Sequence, residues 1–338
     1  MKENEIALLE WANHQLNSSK DPALLEMSAL RQEASSRSYF RMTLGELTFI
    51  GVISLSDHEK NEEFVYFSEL LLKNGVRVPR VLFKNLEKGF MLLEDFGDKI
   101  YQFELSRRNY QELYSAATDE IILIQNSPVG GVIESFNYEK ALRQIKLFET
   151  WLLESFVDLR LNIEEKKILS GAYEIILESF FEQPQVLCHF DYESRNLMVL
   201  DDGCAGVLDF QDSLVGPMFL DPVALLKDVN HIWKEHELKE LFDQYVNKAK
   251  ISGLISNVPE ADLIRWFDMA GLQRQLRILG VLCRLHIRDK KSYRLVDLEA
   301  TINFLIRTAL SYKELEDFGS FMERKVLPMI VKKVEELR

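Results

Sequence analysis

The sequence predicts an α+β chain in two lobes, a small sheet-rich lobe followed by a larger, mainly helical one. Three observations carry that expectation. Short segments rich in β-branched and aromatic residues recur through the N-terminal part. A helical apolar period takes over from about Leu105. One later stretch, Gln185 to Phe210, reverts to a strand, a loop and a hairpin. The chain has 338 residues, room for about two structural units. Its 47% apolar and 28% charged residues are the balance of a globular protein and exclude a disordered or collagen-like chain.

Taken in order, an amphipathic helix is expected near Asn4 to Leu16. Strands follow at Ser38 to Leu44 and Leu47 to Ser54, separated by the turn signal Leu44-Gly45-Glu46. Phe64, Phe67 and Leu71 recur at helical spacing, and strands at Arg80 to Phe83 and Phe90 to Leu93 complete the small lobe. A linker is expected near Gly97 to Ser106, so the lobes are read as residues 1–97 and 98–338. No repeat, low-complexity tract or heptad run interrupts this plan.

Composition narrows the function. A net charge of −13 argues against nucleic acid or an anionic membrane surface as partner. No run reaches the roughly 18 apolar residues of a spanning helix. The stretch Met1 to Leu16 lacks the basic start and small-residue cleavage site of a signal peptide. The three cysteines, Cys188, Cys204 and Cys283, have no C-x-x-C spacing, which fits a reducing compartment and a cytoplasmic location. A monomer is expected.

The densest polar cluster runs from His189 through Asp191, Tyr192, Glu193 and Arg195 to Asn196, and ends at Asp209-Phe210-Gln211-Asp212. Between them an Asp-Gly step separates two short apolar runs, a strong hairpin signal. With Asp202 and Gly203 as the two loop residues, Asp201 faces Cys204 and Asn196 faces Asp209. An amide oxygen and a carboxylate then meet at the open end of the hairpin. Two hard oxygen donors suit Mg²⁺ on phosphates, and Asp191, just before the hairpin, is free to accept a proton from a substrate hydroxyl. Asp and Asn flanking strands also serve as caps and turn formers, but the hairpin that joins these two favours a metal site.

The pattern H-x-D-x-x-x-x-N, then a hairpin, then hydrophobic-D-F, resembles the catalytic and metal-binding loops of the protein-kinase-like fold. Its surroundings resemble the aminoglycoside phosphotransferase superfamily: Leu93-Glu94-Asp95-Phe96-Gly97 as the hinge between lobes, Leu208 to Asp212, then Gly216-Pro217 and Asp221. Ser38-Tyr39-Phe40-Arg41, Gly271-Leu272-Gln273-Arg274 and Leu279-Gly280 are similar to a bacterial subgroup that phosphorylates amino sugars of the cell wall at the anomeric hydroxyl. The resemblance implies a nucleotide-binding small lobe and a catalytic, substrate-binding large lobe. It implies ATP and Mg²⁺ as cofactors and N-acetylmuramate or N-acetylglucosamine as the small-molecule acceptor. Aminoglycosides, choline and other amino-alcohols are alternative acceptors, and a noncatalytic nucleotide-binding regulator is the alternative of a different class.

By the same resemblance Asp191 is the catalytic base, and Asn196 and Asp209 hold the metal. His189 and Asp221 brace the loop, while Tyr192, Glu193 and Arg195 border the acceptor. Ser35, Ser36, Arg37 and Ser38 lie over the nucleotide phosphates, and Glu94, Asp95 and Phe96 meet the adenine. The strand Leu47 to Ser54 lacks the lysine that kinases of this fold use on the phosphates. Arg37, Arg41 and Lys60 are the candidate replacements, and the sequence does not choose among them.

One stretch, Arg265 to Arg294, is basic within this acidic chain, with eight Lys and Arg against two Asp. At helical spacing Arg274, Arg277, Arg284 and Arg288 fall within about 80° of one another, opposite Leu272, Leu276, Leu279 and Cys283. Such a stripe is either a face that is solvated or salt-bridged to neighbouring acidic helices, or an anion-recognition face, since guanidinium forks match carboxylates. On the second reading Arg274 and Arg277 bind the acceptor.

Overall fold

The computed structural model describes residues 2–16, 25–30, 37–55, 60–130, 133–228 and 230–337. They form two compact units, one joining Met1–Ser127 to His189–Ser213, the other joining Pro128–Cys188 to Leu214–Arg338.

The first unit opens with α1 (Glu3–Leu16), followed by β1 (Glu26–Ala29), β2 (Ser38–Leu44) and β3 (Leu47–Ile53). After α2 (Asn61–Lys73) come β4 (Val81–Asn85) and β5 (Phe90–Glu94), giving an antiparallel sheet in the order β1-β2-β3-β5-β4. Alternation along β2 sends Phe40 and Met42 into a core with Leu8 and Ala12 of α1 and with Phe90 and Leu92 of β5. The residue between them, Arg41, falls on the opposite face. Phe64, Phe67 and Leu71 are buried on α2, the stripe that their spacing predicted. Two further helices, α3 (Tyr101–Glu104) and α4 (Tyr110–Gln125), follow.

The chain returns to this unit after β6 (Gln185–Cys188), a strand of the other unit, through a loop and the hairpin of β7 (Leu197–Val199) and β8 (Ala205–Val207). Backbone bonds tie the returning segment down, Val199 N–H to Lys99 O (2.7 Å) and Val207 N–H to Arg77 O (2.7 Å). The loop and hairpin belong to the first compact unit, a different grouping from the expected lobes 1–97 and 98–338.

The hairpin register differs by one residue from the expected one. Leu197 pairs with Val207, Met198 with Gly206 and Val199 with Ala205. Leu200 N–H donates to Cys204 O and Gly203 N–H to Leu200 O, both at 3.1 Å. The loop is therefore Asp201-Asp202-Gly203, a turn closed by Gly203 at φ 82°. A turn ending in a left-handed glycine is the usual three-residue hairpin loop, and an Asp-Gly step serves it as well as the two-residue kind. Asn196 consequently faces Leu208, whose N–H donates to Asn196 O at 2.9 Å, and Asp209 lies one residue beyond.

Glu120 on α4 is 4% exposed and accepts from the Arg77 N–H at 2.8 Å. Burial pushes its carboxyl up to about 7, against the opposing pull of the Arg77 amide and charge. A raised carboxyl means that the folded state holds the proton longer, so stability falls as pH rises from about 4.5 to 7. Glu120→Gln keeps the acceptor for Arg77. It is expected to flatten that slope and to stabilise the protein at pH 8 by up to about 3 kcal/mol, read from urea midpoints at pH 5 and pH 8.

The second unit is mainly helical. After α5 (Tyr138–Ile145) and a π-helical stretch at Phe148–Phe156, α6 (Ile163–Phe181) starts on a capping box of Asn162 and Glu165. β6 pairs antiparallel with β9 (Leu214–Pro217). β9 lies beyond the expected strand-loop-hairpin stretch Gln185 to Phe210, and its Gly216-Pro217 end resembles a turn in sequence. Then follow α7 (Leu220–Leu226), α8 (Glu235–Ile251), α9 (Glu260–Ile287), α10 (Asp297–Leu310), α11 (Glu316–Phe321) and α12 (Leu327–Glu336).

Helix α9 packs against α5, α6, α7, α10 and the π-helical stretch. Leu272, Leu276, Leu279 and Cys283 are fully buried, the apolar sector expected. The arginine sector is not a uniform solvated face: Arg274 is only 7% exposed, Arg277 and Arg284 are half-buried, and Arg288 is exposed beside Asp289. A central helix with neighbours on several sides covers polar positions that a two-sided helix would leave open. Among the described residues, no helix is long and apolar enough to cross a membrane.

Candidate active site

The polar cluster read from the sequence is held within the first unit. His189 is fully buried. Its Nε2 lies 2.8 Å from Leu208 O, and its Nδ1 accepts the Asp191 N–H at 3.3 Å. That pattern assigns the neutral tautomer with the proton on Nε2. One imidazole thus ties the loop to the end of the hairpin, and Phe190 between them adopts φ 78°. Tyr192 is a correction: expected beside the acceptor, it is fully buried, its hydroxyl donating to Ala117 O of α4 at 2.8 Å. Its ring packs edge-on against His189 at 5.5 Å, so the tyrosine anchors the loop.

Three acidic groups converge on Arg195. Its Nη2 donates to Asp191 Oδ2 at 2.6 Å, and its Nε forms an ion pair with Glu193 Oε2 at 2.9 Å. Burial works against the guanidinium charge, but Glu193, Asp191 and Asp209 outweigh it and raise its pKa. The Asn196 amide donates through Nδ2 to Asp191 O at 2.9 Å and to Asp191 Oδ2 at 3.4 Å, which leaves Oδ1 as its acceptor end. Asp191 is 26% exposed at its side chain. It is a carboxylate oriented by two donors, suited to take a proton from a hydroxyl within hydrogen-bond reach.

Asp209 is in the left-handed region (φ 64°) and starts the short turn Phe210–Asp212. Its Oδ1 accepts from Gln211 Nε2 at 2.8 Å. Asn196 Oδ1 and the Asp209 carboxylate are hard oxygen donors one register step apart at the end of the hairpin. Among the described residues no group of three or more His, Cys, Asp and Glu forms a metal cage. A donor set of one amide and one carboxylate fits Mg²⁺, which keeps waters and takes its remaining ligands from phosphates.

Phe210 is fully buried and lies 4.8 Å from the ring of Phe64 on α2. Lys60, at the start of α2, reaches Asp212 at 2.6 Å. Both contacts join α2 to the segment carrying Asp209, and neither was legible, because their partners are about 150 positions apart in the chain.

The three candidate cations have separate fates. Arg37 is 2% exposed, its guanidinium 5.0 Å over the Phe64 ring and within 3.4 Å of Lys60 O. Arg41 binds Asp95 and Asp98. Lys60 is half-exposed beside Asp212. Ser38 opens β2 opposite Ile53, while Ser35 and Ser36 lie outside the described residues. Glu94 pairs with Arg80 at 3.1 Å. Phe96 rests on the hairpin at Gly206, where a Cβ would stand 2.6 Å from its Cδ2. Asp221 is in the second unit, fully buried in the first turn of α7, where its charge helps burial to raise the Cys188 thiol pKa. Arg274 and Arg277 are also in the second unit.

A five-stranded antiparallel sheet, a mainly helical second unit and a loop of this pattern define a phosphotransferase of the protein-kinase-like fold. The chain belongs to the phosphotransferase enzyme family, whose model matches residues 26–254. It is 33% identical over 297 residues to the N-acetylmuramate/N-acetylglucosamine kinase of Pseudomonas aeruginosa, covering 88% of each chain. Among solved structures it is similar to the choline kinase LicA from Streptococcus pneumoniae, with a TM-score of 0.61 and 13% identity over 92% of this chain and 100% of that one. It is also similar to the ADP-bound aminoglycoside phosphotransferase APH(2'')-Ib, with a TM-score of 0.60 and 16% identity over 89% and 98% of the two chains. At these identities the structural matches establish the fold.

Proposed function

We propose that this protein is an ATP-dependent sugar kinase that phosphorylates the anomeric hydroxyl of N-acetylmuramate or N-acetylglucosamine. The observation that carries the acceptor is the 33% identity, over 88% of both chains, to a kinase of that name. In this reading the sugar oxygen bonds to the γ-phosphorus, the bond to the β-phosphate oxygen breaks and ADP leaves. The hydroxyl proton goes to Asp191. Arg195 and Asn196 hold the Asp191 carboxylate, and Arg195 and Glu193 border the acceptor. Asn196 Oδ1 and Asp209 would hold Mg²⁺, which would supply charge neutralisation to the nucleotide phosphates. Ser38 and the main chain of Arg37 line the nucleotide side, the Arg37 guanidinium being buried over Phe64, and the peptide groups of Glu94, Asp95 and Phe96 hydrogen-bond the adenine. The two carboxylates among those three are taken by Arg80 and Arg41.

The test is an ATP-consumption screen over amino sugars, aminoglycosides and small amino-alcohols, with the phosphate position in the product read by NMR. A 1-phosphate of either N-acetylated sugar supports the reading, and turnover confined to an aminoglycoside or choline overturns it. A monomer in the cytoplasm belongs to the same reading and is consistent with three free thiols.

The lactyl carboxylate of N-acetylmuramate needs a cation, and half-buried Arg277 beside Arg274 offers a planar fork. Arg277→Ala is expected to raise KM for N-acetylmuramate relative to that for N-acetylglucosamine by about tenfold, the scale of a charge-assisted hydrogen bond. Equal losses for both sugars would make Arg277 part of the scaffold.

A further inference from the structure

The sequence offered Arg41 as a phosphate-binding cation, but its surroundings give it another task. From β2 its Nε and Nη2 donate to the two oxygens of Asp95 at 2.7 and 3.1 Å. Its Nη1 donates to both oxygens of Asp98 at 2.7 and 2.9 Å, and Nη2 also reaches Gly97 O at 3.0 Å. Every nitrogen of the guanidinium is thus spent on the segment Asp95 to Asp98. Asp95, only 3% exposed at its side chain, in turn accepts the Gly97 N–H at 2.9 Å.

At the other end of the segment Glu94 N–H donates to Arg80 O at 3.0 Å. The peptide groups of Asp95 and Phe96 therefore lie between two pinned amides, with the Phe96 ring seated against Gly206. The Arg41 bonds join residues 54 to 57 positions apart, and the bidentate Arg–carboxylate pair is the strongest and most directional of the common ion pairs. An array like this fixes backbone orientation rather than presenting a cation to a ligand.

We propose that Arg41 is the positioning residue of the purine subsite. It clamps the segment Asp95 to Asp98 onto β2, so that the peptide groups of Asp95 and Phe96 keep the donor and acceptor directions that a 6-aminopurine nucleotide requires. The inference rests on the reading of Glu94 to Phe96 as the adenine-binding segment and concerns nucleotide affinity alone. Lysine cannot replace the arginine, because one ammonium cannot serve Asp95, Asp98 and Gly97 O in the same plane.

The test uses the full chain and ADP as the probe, by calorimetry without acceptor, beside steady-state kinetics. Arg41→Ala and Arg41→Lys are each expected to weaken ADP binding about tenfold or more, the loss of one or more charge-assisted hydrogen bonds. The kcat at saturating ATP and KM for the acceptor should stay within about twofold. Should Arg41→Ala fail to fold, Asp98→Ala decides: it removes only the exposed arm and is expected to weaken ADP binding about threefold. Unchanged ADP affinity in Arg41→Ala, or in Asp98→Ala where that variant decides, overturns the proposal, as does a loss shared equally by KM for the acceptor. A wild-type chain that binds ADP in an Arg41-dependent way yet phosphorylates no amino sugar would sink the proposed acceptor and leave this inference standing.

Discussion

Asp191→Asn is expected to lower kcat by about a hundredfold or more, the lower end of the range for a positioned general base, while ADP affinity and Tm stay close to wild type. The asparagine fits the same space. Its Oδ1 can still accept from Arg195 Nη2, now 2.6 Å from Asp191 Oδ2, and the main-chain bonds to His189 Nδ1 and Asn196 Nδ2 do not involve the side chain. What is lost is the basicity that takes the sugar proton. Single-turnover kinetics with the amino sugar, beside a thermal melt, separates chemistry from folding. A variant that turns over at near wild-type rate would remove Asp191 from the proton-transfer role.

Asp209→Asn is expected to weaken nucleotide binding in Mg²⁺ by about two orders of magnitude, with little change in EDTA, because one charged ligand contributes roughly 1.5–3 kcal/mol. Asparagine is the informative substitution here. It tolerates the left-handed backbone of position 209 (φ 64°), where alanine would add strain of its own, and its carbonyl can still accept from Gln211. Asn196→Ala should give a milder loss of about tenfold, since an uncharged amide contributes less than a carboxylate. Equal ADP affinities for wild type and Asp209→Asn in Mg²⁺ would show that the metal, if bound, is held elsewhere.

The site was legible as a set of residues and much less as a geometry. The Asp191, Asn196 and Asp209 spacing is a local pattern, and a hairpin between apolar runs must bring its two ends together whatever the rest of the chain does. Its register was misread by one residue because Asp202-Gly203 fits two loop lengths. The choice between them depends on whether Leu200 or Asp201 pairs with Cys204, a backbone bond that no side chain announces. Asp209 lies one residue past Leu208, which bonds Asn196, and adopts a left-handed backbone, φ 64°. Tyr192 is a different case. An aromatic with one polar atom reads alike as a ligand contact or a core anchor, and only the carbonyl of Ala117, 75 positions away, decides it.

By itself the sequence determined the strands β2, β3 and β5, the helix α2 and the loop that carries the acidic groups, because hydrophobic period and turn chemistry act over a few residues. It also determined the phosphotransferase class, through a motif whose spacing the chemistry requires. Tertiary structure alone decided what each cation does: Arg37 over Phe64, Arg41 across Asp95 and Asp98, Lys60 beside Asp212, Arg274 covered on α9. A long charged side chain has no periodic signature of its own. Its role is set by whichever carboxylate or ring the fold brings within about 3–6 Å, the range of ion pairs and of cation–ring contacts.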